Sequence, residues 1–343
     1  MSDILLTGAA GFIGFHTARA LDAQGYKVIG IDNLNDYYDP GLKAGRLEAL
    51  KKLKHFTFEK GDIADEDFLK DLTSRYPDIS IIIHLAAQAG VRYSLDNPRA
   101  YEHSNLSGQM CVLELARHLK GEGKLSHFVY ASSSSVYGAN RKLPFSETDR
   151  VDQPVSLYAA TKKSGEMLAH SYAHLYDIPS SGLRFFTVYG TWGRPDMAYY
   201  SFTRALYEGE TIKIFNNGDM GRDFTYVDDI VSGIITCMNT PPEKGDQGTL
   251  GPAPHRIFNL GNNTPERLLD FVHILEDLTG HTARTELLPM QPGDVKETFA
   301  DIDLAKNVLG YAPSTSLREG LSHFVRWYID YHGLDKSQKT GAA

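Results

Sequence analysis

Short runs of consecutive apolar residues alternate along the chain with longer stretches whose apolar positions recur every three or four residues. DILLTG leads into a helical stretch from Phe12, KVIGID into one near residues 42–53, and FTFEKGD into one from Asp65. SIIIHLA then precedes a long helical pattern over residues 98–120, HFVYASS a second long one from Leu157, and SGLRFF closes the series. Strands that are apolar at nearly every position must be covered on both faces, which a parallel sheet clothed by crossover helices achieves. The pattern predicts an α/β fold built on such a sheet.

After Gly190 the rhythm loosens into short strands, TIKIF, HRIFNLG and RTELL. They lie among helices near residues 202–207, 227–238, 267–278 and 317–331. A smaller C-terminal α/β lobe is expected there, with the division at 1–190 and 191–335 and some crossing back of the chain. Pro241-Pro242 and the Gly/Pro-rich stretch 245–254 predict a surface loop, and the polar residues 335–343 a frayed tail.

Composition narrows the partners. At 42% apolar and 23% charged residues over 343, the chain is an ordinary globular one large enough for two lobes with real cores. Its net charge of -8 provides no basic face for nucleic acid, so an anionic ligand must be met locally, by helix N-termini and single arginines. The two cysteines, Cys111 and Cys237, sit inside apolar helical patterns as small hydrophobes, and neither a disulfide nor a metal site is expected. No run approaches the ~18 apolar residues of a membrane span, and Asp3 leads straight into a strand without a secretory pattern. A cytoplasmic protein is the expectation.

Candidate chemistry begins in TGAAGFIG, where Gly8, Gly11 and Gly14 connect the first strand to a helix. Glycines at that spacing allow a tight turn, close backbone approach to a pyrophosphate and close helix–strand packing, with the helix N-terminus facing the negative charge. Glycine turns also join strands to helices for no functional reason. Asp32 at the end of the second strand could accept hydrogen bonds from an adenosine ribose, or could be a turn aspartate. The residues after it, Asn33-Leu34-Asn35-Asp36, offer no arginine for a 2′-phosphate, which favours NAD over NADP. Asp62-Ile63, ending the third strand, could meet the adenine, or Asp62 could be turn chemistry before the next helix. These signals make the expected sheet a Rossmann-type doubly wound one.

Tyr158 and Lys162 are four residues apart and share one face of a helix. That spacing alone is equally the spacing of a surface pair. Ser133 changes the weighting, because it ends a parallel strand, where such folds place their sites. A phenol with a pKa near 10 needs a neighbouring positive charge to act as a base, and Lys162 supplies one. The chemistry implied is removal of a hydroxyl proton together with hydride transfer from the same carbon.

TGAAGFIG, HLAAQAGVRYS, YASSSSVYG, YAATKKSGE and RFFTVYG together resemble the extended short-chain dehydrogenase/reductases that epimerise nucleotide sugars. The resemblance continues through NNGDMGRDFTYVDD and MQPGDV. It implies an isomerase of carbohydrate metabolism that recycles a bound NAD through a 4-keto sugar. It assigns Gly8, Gly11, Phe12, Ile13, Gly14, Asp32, Asn33, Asp62, Ile63, Leu85, Ala86, Ala87 and Asn105 to the cofactor, with Tyr158 and Lys162 also at the nicotinamide ribose. Arg222 would meet the UDP diphosphate, and Gln291 and Asp294 the uridine. It also implies a homodimer formed through the two long helices.

Related dehydratases carry Asp-Glu after the catalytic hydroxyl residue, and decarboxylases a nearby Glu, to handle a proton at C5. Ser134 and Ser135 stand at those positions, which favours simple 4-epimerisation. NLNDYYDPGLK and GTWGRPDMA resemble the UDP-glucuronate 4-epimerases in particular. A 4-keto uronate is a β-keto acid, so its carboxylate must be clamped against decarboxylation. Ser134, Ser135, Thr187 and Arg194 are the residues expected to hold it. A UDP-glucose or UDP-N-acetylglucosamine 4-epimerase is the alternative, a UDP-glucuronate decarboxylase a more distant one, and a non-catalytic nucleotide sensor a reading from another class.

Overall fold

The computed structural model describes residues 3–290 and 296–334. Its first part runs β1 (Asp3–Thr7), α1 (Phe12–Ala23), β2 (Val28–Asp32), α2 (Pro40–Leu50), β3 (Phe56–Lys60), α3 (Glu66–Arg75) and β4 (Ile79–His84). Two single turns, α4 (Tyr93–Asp96) and α5 (Pro98–Tyr101), lead through a π-helical stretch, Glu102–Gly108, into α6 (Gln109–Gly121). Next come β5 (His127–Ser133), α7 (Leu157–Tyr176), β6 (Ser180–Phe185) and β7 (Thr187–Tyr189). The rest comprises α8 (Ala198–Glu208), β8 (Thr211–Ile214), β9 (Gly221–Tyr226), α9 (Val227–Met238), β10 (His255–Leu260) and β11 (Pro265–Arg267). It ends with α10 (Leu268–Thr279), β12 (Arg284–Leu287), β13 (Glu297–Thr298), α11 (Asp303–Leu309) and α12 (Leu317–His332).

Seven strands form one parallel sheet in the order β10-β6-β5-β4-β1-β2-β3. Every residue of β1, β2, β6 and β10 is buried, as continuous apolar strands between two helical layers require. The order reverses between β1 and β4. There the connections leave toward opposite sides, and a crevice opens beyond the carboxyl ends of the strands. Helix starts are written in the sequence: the side chains of Asp39, Asp65, Ser156 and Ser316 accept from backbone N–H groups in the first turns of α2, α3, α7 and α12.

Two elements differ from the sequence reading. HRIFNLG does not belong to the second lobe, because β10 is the outer strand of the main sheet, paired in parallel with β6. A short apolar strand carries no mark of which sheet it joins, and the division at residue 190 therefore cuts through the sheet. The helical pattern over 98–120 is not one regular α-helix, since Glu102–Gly108 widens to π geometry. The second lobe is built around β9, flanked by β11, β13 and β7, with β8 and β12 as a separate parallel pair. One apolar core runs from Ile4 in β1 to Phe324 in α12, joining the lobes.

Candidate active site

A cleft of about 540 Å³ lies over the strand-order reversal and extends to β9 of the second lobe. Its floor at one end is the turn after β1. Gly8 has φ +73°, and a β-carbon there would stand 2.8 Å from the Ala86 nitrogen; one on Gly14 would stand 2.1 Å from the Gly8 oxygen. Only glycine lets the backbone of this turn lie open to a ligand while α1 packs against it. Phe12, Ile13, Leu85 and Ala87 form the adjoining walls, and Asn33 and Ile63 the far edge.

Asp32 ends β2 at that edge. Its carboxylate accepts from Ala10 N at 3.2 Å and Leu34 N at 2.8 Å, which fixes its orientation and leaves further lone pairs toward the cleft. The Lys43 ammonium stands 3.7 Å away and also lines the cleft. Burial pulls its pKa down, against the attraction of Asp32. A glycine cradle at a helix N-terminus beside a ribose-height carboxylate suits a dinucleotide of the NAD type.

Two residues expected at the cofactor stand behind the lining. Asp62 is bound by Asn33 Nδ2 at 3.0 Å and by Ala64 N at 2.9 Å, so it shapes the rim through Asn33. Asn105 is buried and clasps Gln88 from both sides: its Oδ1 accepts from Gln88 N at 2.8 Å, and its Nδ2 donates to Gln88 O and to Thr161 Oγ1, both at 3.0 Å. The π-helical widening carries Asn105 to that position. Its neighbour Ser104 lines the cleft instead. Gln291 and Asp294 lie outside the described residues.

The reactive groups meet in the middle. Ser133, at the end of β5, hydrogen-bonds to the Tyr158 phenol and lowers its pKa, although burial raises it overall. Lys162, one helical turn on, is buried, and burial drives its pKa down to about 8. Glu166 follows on the same face of α7. It accepts from Ser132 Oγ at 2.7 Å and from Arg184 Nε and Nη2 at 2.8 and 2.9 Å, which ties the helix to β5 and β6. The sequence reading missed Glu166, although its i+4 spacing from Lys162 was visible.

Beyond Tyr158 the cleft is lined by Ser134, Ser135 and Thr187, then Arg194 and, on β9, Arg222. The Arg222 Nη1 donates to Gly221 O at 2.9 Å and Lys296 O at 3.2 Å. Arg194 is not a surface arginine. It lies close enough to Tyr158 to lower the pKa of the phenol, and its guanidinium sits over the Tyr37 ring at 5.9 Å. The loop that carries it is held by Arg46, a fully buried residue of α2 that sequence reasoning did not find. Its Nε donates to Trp192 O at 3.1 Å, while its Nη1 donates to Ala10 O at 2.9 Å in the glycine turn. One side chain thus joins the dinucleotide end to the loop of Arg194. Among the described residues no cluster of three His, Cys, Asp or Glu side chains is placed to hold a metal, and no helix is long and apolar enough to cross a membrane.

Comparison with known proteins agrees with this geometry. The family model described as NAD dependent epimerase/dehydratase matches residues 4–261. UDP-glucuronate 4-epimerase 4 of Arabidopsis thaliana is 49% identical over 339 residues, covering 97% of this chain and 76% of that protein. The crystal structure of UDP-glucuronic acid 4-epimerase from Bacillus cereus, in complex with UDP-glucuronic acid and NAD, is 35% identical and superposes with a TM-score of 0.85. It covers 96% of this chain and 99% of its own. UDP-glucose 4-epimerase of Thermotoga maritima, with UDP-glucose, is 30% identical with a TM-score of 0.83, covering 96% and 99%. A glycine turn, a strand-end aspartate and a Ser/Tyr/Lys group on one parallel sheet, matched by the family model over most of the chain, place this protein in the NAD dependent epimerase/dehydratase family.

Proposed function

We propose that the protein is a UDP-glucuronate 4-epimerase that interconverts UDP-glucuronate and UDP-galacturonate with a tightly held NAD. The observation that carries this reading is Arg194: a guanidinium lies in the same cleft as Ser133, Tyr158 and Lys162, with the hydroxyls of Ser134, Ser135 and Thr187 beside it. A neutral hexose has no need of a fixed positive charge near its reacting carbon, whereas a C6 carboxylate does. The glycine turn, Asp32 and Asn33 would hold NAD, with Lys162 at its nicotinamide ribose; when bound, NAD supplies a hydride acceptor and donor.

The chain's own residues do the rest. Tyr158 takes the C4 hydroxyl proton, helped by the Ser133 hydrogen bond and the Lys162 ammonium, and returns it to the C4 oxygen after the sugar has turned to present the other face of C4 for the returning hydride. Ser134, Ser135, Thr187 and Arg194 hold the carboxylate so that the C5–C6 bond stays out of line with the carbonyl π system, which suppresses loss of carbon dioxide. Arg222 would meet the UDP diphosphate, and Gln291 and Asp294, outside the described residues, the uridine.

A homodimer in the cytoplasm belongs to the same proposal. The apolar residues of α6, Val112, Leu113, Leu115, Ala116 and Leu119, are buried inside the subunit, so they form no interface. On α7, however, Met167 and Leu175 are 61% and 66% exposed, which favours pairing through that helix.

Incubation of the protein with UDP-glucuronate, UDP-glucose and UDP-N-acetylglucosamine, without added NAD, tests the reading. UDP-galacturonate from the first, with little turnover of the others, is expected. Preference for a neutral sugar overturns the substrate, and a strict need for added NADP overturns the cofactor.

A further inference from the structure

Arg194 does not stand alone in the cleft wall. Its Nε donates to Asp196 Oδ1 at 3.0 Å and its Nη2 to Asp196 Oδ2, a side-on fork that uses one edge of the guanidinium. Asp196 takes two of the five guanidinium N–H donors, and the others remain for the Tyr37 hydroxyl and a second carboxylate. Asp196 itself is not among the cleft-lining residues, and its side chain is 37% exposed. Tyr37 completes the arrangement: its hydroxyl donates to Asp196 Oδ2 at 3.3 Å, and its ring lies under the guanidinium. Gly90, with φ +101°, admits that hydroxyl, since a β-carbon there would stand 2.3 Å from it. Two distant segments, 33–39 and 190–198, thus meet on one guanidinium.

We infer that Asp196, steadied by Tyr37, is a positioning residue for substrate selection: it fixes the direction of the Arg194 fork so that the uronate carboxylate is held in one orientation. The inference rests on the UDP-glucuronate reading above. An arginine has many rotamers, and a mobile one would still attract a carboxylate while letting it turn. Attraction sets affinity, but orientation decides whether the 4-keto intermediate survives. If the carboxylate turns, the C5–C6 bond breaks with its electron pair passing to C5 and the C4 carbonyl. The carboxylate then leaves as carbon dioxide, and C5 takes a proton.

The test measures carbon dioxide released per UDP-galacturonate formed, beside KM and kcat, for wild type, Asp196→Ala, Asp196→Asn and Tyr37→Phe. NAD content and melting temperature report folding. Asp196→Ala is expected to raise the carbon dioxide fraction roughly 10- to 100-fold, as small misplacements in closed sites do. Asp196→Asn, which keeps one acceptor oxygen, should raise it less, and Tyr37→Phe least. A purely structural residue would lower kcat without changing how product partitions. Should Asp196→Ala fail to fold, Asp196→Asn and Tyr37→Phe decide. Unchanged partitioning in folded variants of an active wild type overturns the inference, whereas a wild type inactive on UDP-glucuronate overturns the substrate reading instead.

Discussion

The Tyr158 phenol and the Lys162 amine hold one proton in the reactive state, whether written as phenolate with ammonium or as phenol with amine, so they titrate as a unit. Burial brings Lys162 down to about 8 and holds Tyr158 above its ordinary value, while Ser133 partly offsets the latter. The doubly protonated pair therefore loses its first proton near pH 8, and only then can it accept one from the sugar. Turnover should climb through about pH 7 to 9 and level off above, and Lys162→Met should abolish that limb. A pH–rate profile that falls over this range contradicts the assignment. Tyr158→Phe should cut kcat by about 10²–10⁴ while UDP binding, followed by calorimetry, stays near wild type. Tyr158, Lys162 and Ser133 were legible in the sequence because spacing and strand ends carry them. Arg46, Asp196 and Tyr37 were not, since each acts through a contact with a segment remote in the chain.

On the proposed reading, the turn between β1 and α1 is the element that would carry cofactor binding. Gly14→Ala would push a methyl group into the Gly8 carbonyl, so either the turn or α1 must shift. The expected result is a lower NAD content in purified protein and a destabilisation of about 1–3 kcal/mol in urea titration. Full NAD content with unchanged stability would show that the turn tolerates the methyl group. The glycine spacing and strand runs made β1 to β6 readable, because each is a local signal. β10 was misplaced for the opposite reason: its six buried residues suit any interior strand, and only its pairing with β6 assigns the sheet. The π-helical stretch was equally hidden, since the apolar spacing around it differs little from that of an α-helix.

Among the described residues burial lowers six histidines, four of them furthest, His16 and His127 to about 4, His84 and His255 to about 3. All lie below the ordinary value of 6.5, so the unfolded chain takes up protons that the folded one refuses. Stability is unaffected by them above pH 6.5 and falls as pH drops from 6.5 toward 4, by up to about 1.4 kcal/mol per unit for each histidine. The urea midpoint should decline steeply over that window, and a flat midpoint would contradict the neutral assignment. At this scale the sequence suggested two lobes with some crossing back, but not that a single core joins them or that the main sheet closes with β10. On the epimerase reading the C4 hydride leaves the sugar and returns to the same carbon. UDP-glucuronate deuterated at C4, incubated with the protein and no added NAD, tests it most directly. UDP-galacturonate with deuterium retained at C4 is expected; deuterium lost to solvent, or a pentose as the main product, would rule out return of the hydride to C4.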